Sequence, residues 1–161
     1  MSTVQATVAS QMIPLEGEHL LLPNTAIAEI IGHTKAEPLP DSLKNTPDWL
    51  IGMLAWRGVS IPLVSLETLM GGKIAEPSPR ARIAVINAIG GKAKSAFFAV
   101  ATQGIPRLVS VSKERINPVD DNQQSGTGVH CHVVIDGETA MIPNIEEIET
   151  QLARVFKASG K

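Results

Sequence analysis

Apolar residues fall in short runs along this chain, and glycine and proline punctuate them. The runs are "HLLLP" (19–23), "TAIAEIIG" (25–32), "VSIPLVSL" (59–66), "ARIAVINAI" (81–89), "SAFFAVA" (95–101), "IPRLVSVS" (105–112) and "VHCHVVIDGETAMIP" (129–143). Each has the length of a strand rather than of a helix. Turn signals separate them: Glu16-Gly17 before the first, "GGK" (90–92) after the fourth, and Asp136-Gly137 inside the last. Many short strands joined by turns predict a barrel or sandwich, not alternating βαβ units. Pro62 lies inside a strand pattern and cannot donate to a ladder, so that strand is expected to be an edge or to bulge there. Residues 34–47, 72–80 and 117–128 read as loops.

The pattern changes at the C-terminal end. Ile145, Ile148, Leu152, Val155 and Phe156 recur at helical spacing. Asn144 suits the N-cap, and Glu147 three residues on fits a capping box. Glu146, Glu147 and Glu149 stand near the start and Arg154 and Lys157 near the end, which matches the helix dipole. Shorter helical turns are expected within "TPDWLIGML" (46–54), opened by Pro47 and Asp48, and within "LETLMGG" (66–72), closed by glycine.

Composition narrows the function. The chain has 161 residues, enough for one domain or two small lobes of one domain. Aromatic residues make up 3%, there is no tyrosine, and the formal net charge is −2. A nucleic-acid module would show a basic excess or aromatic stacking platforms. No apolar run approaches the roughly 20 residues that cross a bilayer, so no membrane insertion is expected. The first residues, "MSTVQATVASQMIP", lack the basic start and apolar run of a secretory signal. With a single cysteine, Cys131, this fits a cytoplasmic protein.

The search for chemistry finds no converging catalytic set, and neither an enzyme nor a cofactor is expected. His130 and His132 share a strand face and could hold a metal, as a metal-binding protein or enzyme would. Two ligands fall short of the three or four such a site needs. Cys131 between them reads as a small hydrophobe. "GTG" (126–128) lacks the strand and helix of a phosphate loop, and Asp120-Asp121 reads as solvated. A chain without catalytic groups works by contact, and "LAWRGVSIPLV" (54–64) is the best candidate. It places Trp56 beside Arg57, the residue types most enriched at interface hot spots. On residue chemistry alone, Trp56 could equally plug a barrel end while Arg57 satisfies loop carbonyls.

"TPDWLIGMLAWRGVSIPLVSLETLMGG" (46–72) resembles the CheW-like domain family, with Pro47, Gly52, Arg57-Gly58, Pro62 and Leu66 in the family's places. Ile27, Glu29 and Ile30 stand at its Val-x-Glu-Val positions, and the similarity runs over about residues 12–152. The resemblance implies a mostly β fold. Two small five-stranded, SH3-like β-barrel lobes share a hydrophobic seam, with short helical turns and a C-terminal helix. The expected division is a flexible 1–11, a single domain over 12–157 and a flexible 158–161. The implied role is a non-catalytic chemosensory adaptor in two-component signalling. Its partners would be the cytoplasmic tip of a methyl-accepting chemoreceptor and the regulatory domain of a CheA-type histidine kinase. The expected partner-binding residues are Trp56, Arg57, Gly58, Ile27, Glu29, Ile61 and Val64, of which the resemblance implies Arg57, Ile27 and Glu29. The chain departs from the family at Ala55-Trp56, where Asn-Leu is usual, at Ser65, where Asp is usual, and at Ala96 to Phe98. These departures point to a pilus-type or other separate chemosensory array.

Overall fold

The computed structural model describes residues 7–41, 43, 46–73, 76–88, 96–119 and 129–157. The "GGK" turn, Asp120-Asp121, "GTG", residues 1–6 and 158–161, and the Lys157 side chain lie outside the described residues.

Among the described residues, eleven strands form two sheets. The chain begins the first sheet with β1 (Thr7–Pro14) and β2 (His19–Pro23). It then builds the whole second sheet from β3 (Ile27–Gly32), β4 (Leu50–Trp56), β5 (Val59–Val64), β6 (Arg82–Asn87) and β7 (Phe97–Thr102). It returns to the first with β8 (Arg107–Ser112), β9 (Ile116–Pro118), β10 (Val129–Ile135) and β11 (Glu138–Pro143). The first sheet has the order β8-β1-β2-β11-β10-β9 and the second β3-β6-β7-β5-β4. The three-residue β9 makes the first sheet six-stranded. Residues 7–11, expected to be flexible, are strand: β1 pairs with β8 from Thr7 onward and with β2 from Ser10, so their backbone groups are held.

The packing explains why several runs are solidly apolar instead of alternating. Strands at the centre are covered on both faces. In β6, Ile83 and Val85 enter a cluster inside the second lobe with Leu54, Trp56 and Leu63, while Ala84 and Ile86 point the other way. That other face is the seam. Ile13, Leu20 and Met141 of the first sheet meet Val64, Ile86 and Phe98 of the second there, and helix α2 covers them (Ile145–Lys157). A third cluster, with Met12, Leu21, Val133 and Ile135, fills the first lobe.

The helix starts as its sequence predicts. Asn144 Oδ1 accepts the Glu147 N–H at 3.0 Å, and Ile145, Ile148 and Leu152 are buried in the seam. "LETLMGG" also holds: α1 (Leu66–Leu69) is capped by Ser65, whose Oγ accepts the Thr68 N–H at 3.3 Å, and Gly71 takes φ +103°. A carboxylate on α1 ties the lobes together, with Glu67 Oε2 accepting the Glu16 N–H from the β1–β2 turn at 2.9 Å. The turn expected in "TPDWLIGML" is not a helix. It closes with one bond, Leu50 N–H to the Pro47 carbonyl (3.2 Å), and β4 follows with alternating burial. The tertiary seam overrides the start signal, because Trp49 packs on it.

Pro62 corrects a second expectation, since β5 is neither an edge nor bulged at that point. Trp56 and Val59 close the β4–β5 hairpin, and Met53 opposite Pro62 is then a non-hydrogen-bonded pair. The missing N–H therefore faces away from β4, and β7 pairs with β5 only at Leu63 and Val64. The proline thus sits where no ladder bond is needed.

Candidate functional site

The β4–β5 hairpin turns through two residues, Arg57 at φ +49° and Gly58 at φ +81°. Two consecutive positive φ values define the turn whose twist matches the flanking strands. Glycine adopts this without strain, whereas Arg57 is held there by its surroundings.

Those surroundings begin with Trp56, which is only 8% exposed and packs into the second-lobe cluster. Its ring meets Phe97 edge-on, with centroids 4.8 Å apart. A buried indole N–H needs an acceptor, and Glu29 Oε1 takes it at 2.9 Å. Arg57 projects the other way. Its guanidinium carbon lies 5.0 Å from the Trp56 ring centroid, in cation–π range, and its Nη2 is 3.1 Å from the same Glu29 oxygen. The Arg57 side chain is 67% exposed and that of Glu29 38%.

Glu29 reaches this place because β3 bulges between Ile27 and Glu29. Strict alternation from Ile27 would put Glu29 on the seam face with Ile27. The extra residue, Ala28, turns it instead to the face of Ile31, inside the second lobe. Since β3 and β4 are the two ends of the sheet order, Glu29, Trp56 and Arg57 bridge the sheet's open edges. Gly52 holds a second bridge. A Cβ there would lie 2.4 Å from the Glu37 carbonyl oxygen, where residues 36–37 cross β4 and pair with Met53.

Of the residues expected at the site, Trp56, Arg57, Gly58 and Glu29 converge. Ile27 lies two residues along β3 and packs against the seam. Ile61 and Val64 are 0% exposed and belong to two different clusters, so they offer no surface and support the hairpin from beneath. Phe97, the brace of Trp56, is not among the expected residues. Its signal was the scarcity of aromatic residues, which makes any ring pair conspicuous.

Among the described residues no group of three or more His, Cys, Asp or Glu side chains could hold a metal. His130 sits at a bulge in β10 and is exposed, while His132 Nε2 lies 3.3 Å from Glu18 Oε1. Cys131 packs against the first-lobe cluster. No helix among the described residues is long and apolar enough to cross a membrane.

Comparison with known proteins recovers the two-sheet β architecture. The model of the CheW-like domain matches residues 11–152. The chain belongs to the CheW-like domain family. A relative, the chemotaxis protein CheW of Rhizobium meliloti (strain 1021), is 30% identical over 96 residues, 60% of this chain and 56% of that protein. The chain thus matches a little over half the length of that relative. The crystal structure of the scaffolding protein TtCheW from Thermoanaerobacter tengcongensis superposes with a TM-score of 0.70 at 17% identity. The match covers 86% of this chain and 90% of that one, and it establishes the shared fold.

Proposed function

We propose that this protein is a non-catalytic, cytoplasmic chemosensory adaptor. It couples the cytoplasmic tip of a methyl-accepting chemoreceptor to the regulatory domain of a CheA-type histidine kinase, through a single domain that takes in residues 12–157 and the β1 residues 7–11. Family membership supports the role, and one observation supports the site: Arg57 stands on a rigid hairpin tip, two-thirds exposed, stacked on one buried residue and touched by Glu29 through a single nitrogen. A receptor tip is helical, so recognition lays a helix face on the hairpin. Val59, 49% exposed beside the turn, adds apolar area, and Arg57 supplies an orienting charge. The contact residues are Arg57, Gly58 and Glu29, with Trp56 beneath them and Ile27 flanking.

Departures from the family pattern differ in weight. Ser65 stands where Asp is usual, yet it caps α1 as Asp would, so the exchange is conservative. Trp56 replaces leucine and adds a donor that reaches Glu29, so it bears on partner choice. We assign the chain on that ground to a pilus-type or other separate array.

The test measures binding of wild type and Arg57→Ala to a chemoreceptor-tip helical hairpin and to a kinase regulatory domain. Wild type binds both, and Arg57→Ala unfolds like wild type but loses about tenfold in affinity for at least one. No binding by wild type to either would sink the adaptor reading. Unchanged affinities for Arg57→Ala would sink the site.

A further inference from the structure

We infer that Trp56 is the positioning residue of this site: its indole N–H pins Glu29 so that the carboxylate cannot close over Arg57, which keeps the guanidinium open to a partner oxygen. The inference rests on the adaptor reading above and adds the device that makes the site receptive.

Carboxylate and guanidinium frequently form a fork, with two parallel N–H···O bonds that occupy both groups, although Arg107 meets Glu138 through Nη2 alone at 2.5 Å. This protein contains such a fork. Arg115 donates from Nε to Asp136 Oδ1 (3.1 Å) and from Nη2 to Oδ2, and a third bond runs from Nη1 to the Ser110 carbonyl at 2.5 Å. Arg57 and Glu29 do not form one. Glu29 Oε1 is shared between the Trp56 indole at 2.9 Å and Arg57 Nη2 at 3.1 Å.

The indole cannot follow the carboxylate if it swings. Trp56 is buried and braced edge-on by Phe97, and rotating away would leave its N–H without an acceptor in an apolar cluster. The bond therefore fixes Glu29 and not the reverse. The ring also places Arg57, whose guanidinium carbon lies over it at 5.0 Å. Apart from the ring contact and the one nitrogen at Glu29, the Arg57 side chain is 67% exposed and its other N–H groups are accessible to a partner. Such groups fit a carboxylate or a helix-terminal carbonyl on the partner.

Trp56→Phe tests this, because phenylalanine keeps a ring against Phe97 and under Arg57 and removes only the donor. Affinity is measured by calorimetry, using whichever probe Arg57→Ala weakens, the receptor-tip hairpin or the kinase regulatory domain. Trp56→Phe should bind about fivefold more weakly than wild type. In a Glu29→Gln background, where no carboxylate can close over Arg57, the same substitution should be nearly silent. An equal loss in both backgrounds, or no loss in either, would overturn the inference. A measurement without any Trp56 variant checks the bond itself. The Trp56 indole proton should exchange with solvent more slowly in wild type than in Glu29→Ala, and equal rates would also overturn it. If Arg57→Ala weakens neither probe, the reading of the site fails and this inference fails with it. If Arg57→Ala weakens one and Trp56→Phe does not, only the inference fails.

Discussion

Two hairpins in this protein turn through the same backbone shape and do different work. Arg57-Gly58 takes φ values of +49° and +81°, and Asp136-Gly137 takes +50° and +82°. Each presents a charged first residue to a partner on a neighbouring element, Glu29 in one and Arg115 in the other. At the Asp136 turn the pair is a closed fork, and Arg115 also holds the β8 carbonyl of Ser110. Its donors are spent within the first lobe, so the turn is a clasp. At the Arg57 turn a buried indole takes part of the carboxylate, and the pair stays open. One added donor beneath a turn separates an open ion pair from a closed one.

Charge reversal breaks this comparison most sharply. Arg57→Glu should lower partner affinity by well over tenfold, since it removes the anchor and sets a like charge beside Glu29. Arg115→Glu should leave affinity within about twofold of wild type, because an exposed structural pair contributes little away from its own site. Affinities for the receptor-tip hairpin and the kinase domain check both. If Arg115→Glu weakens binding as much, the clasp is part of the interface and the distinction collapses.

A smaller effect should be common to both turns. A Cβ on Gly58 or Gly137 would meet nothing within 4 Å, so alanine at either place costs only backbone strain. Each of Gly58→Ala and Gly137→Ala should lose about 1–2 kcal/mol in denaturant unfolding. The two should be alike in stability and unlike in function: Gly58→Ala re-aims Arg57 and weakens binding severalfold, and Gly137→Ala does not. Unequal stability losses would mean that the turns are not equivalent supports.

Much of this could be read from the sequence, and the parts that could not have a common cause. The strands, the Asn144 cap and the Asp136-Gly137 turn are local signals, written in adjacent residues. The alternation rule failed where faces are set at a distance. Val64 and Ile61 looked like interface candidates because their strand carries the Arg-Gly motif, yet the seam and the second-lobe cluster bury them completely. Glu29 and Trp56 are 27 residues apart, and nothing local announces their hydrogen bond. It depends on a bulge at Ala28 and on the two sheet edges coming together. The false helix start at Pro47-Asp48 shows the same limit from the other side, since its signal was real and the packing of Trp49 overruled it.

The smallest expected effect concerns the clasp alone. Hydrogen bonding from Arg115 holds the Asp136 carboxyl below its ordinary value of 3.8, against desolvation, and the charges of Arg115 and Arg107 add to the lowering. A carboxyl with a lowered folded value binds protons more readily when unfolded. Its contribution to stability is therefore complete above about pH 4 and is lost as pH falls through the lower folded value. Unfolding followed between pH 2 and pH 5 should show Arg115→Gln losing part of the wild-type slope at the acid end. The difference should shrink in 1 M salt, because both groups are in contact with solvent and screening acts on them fully.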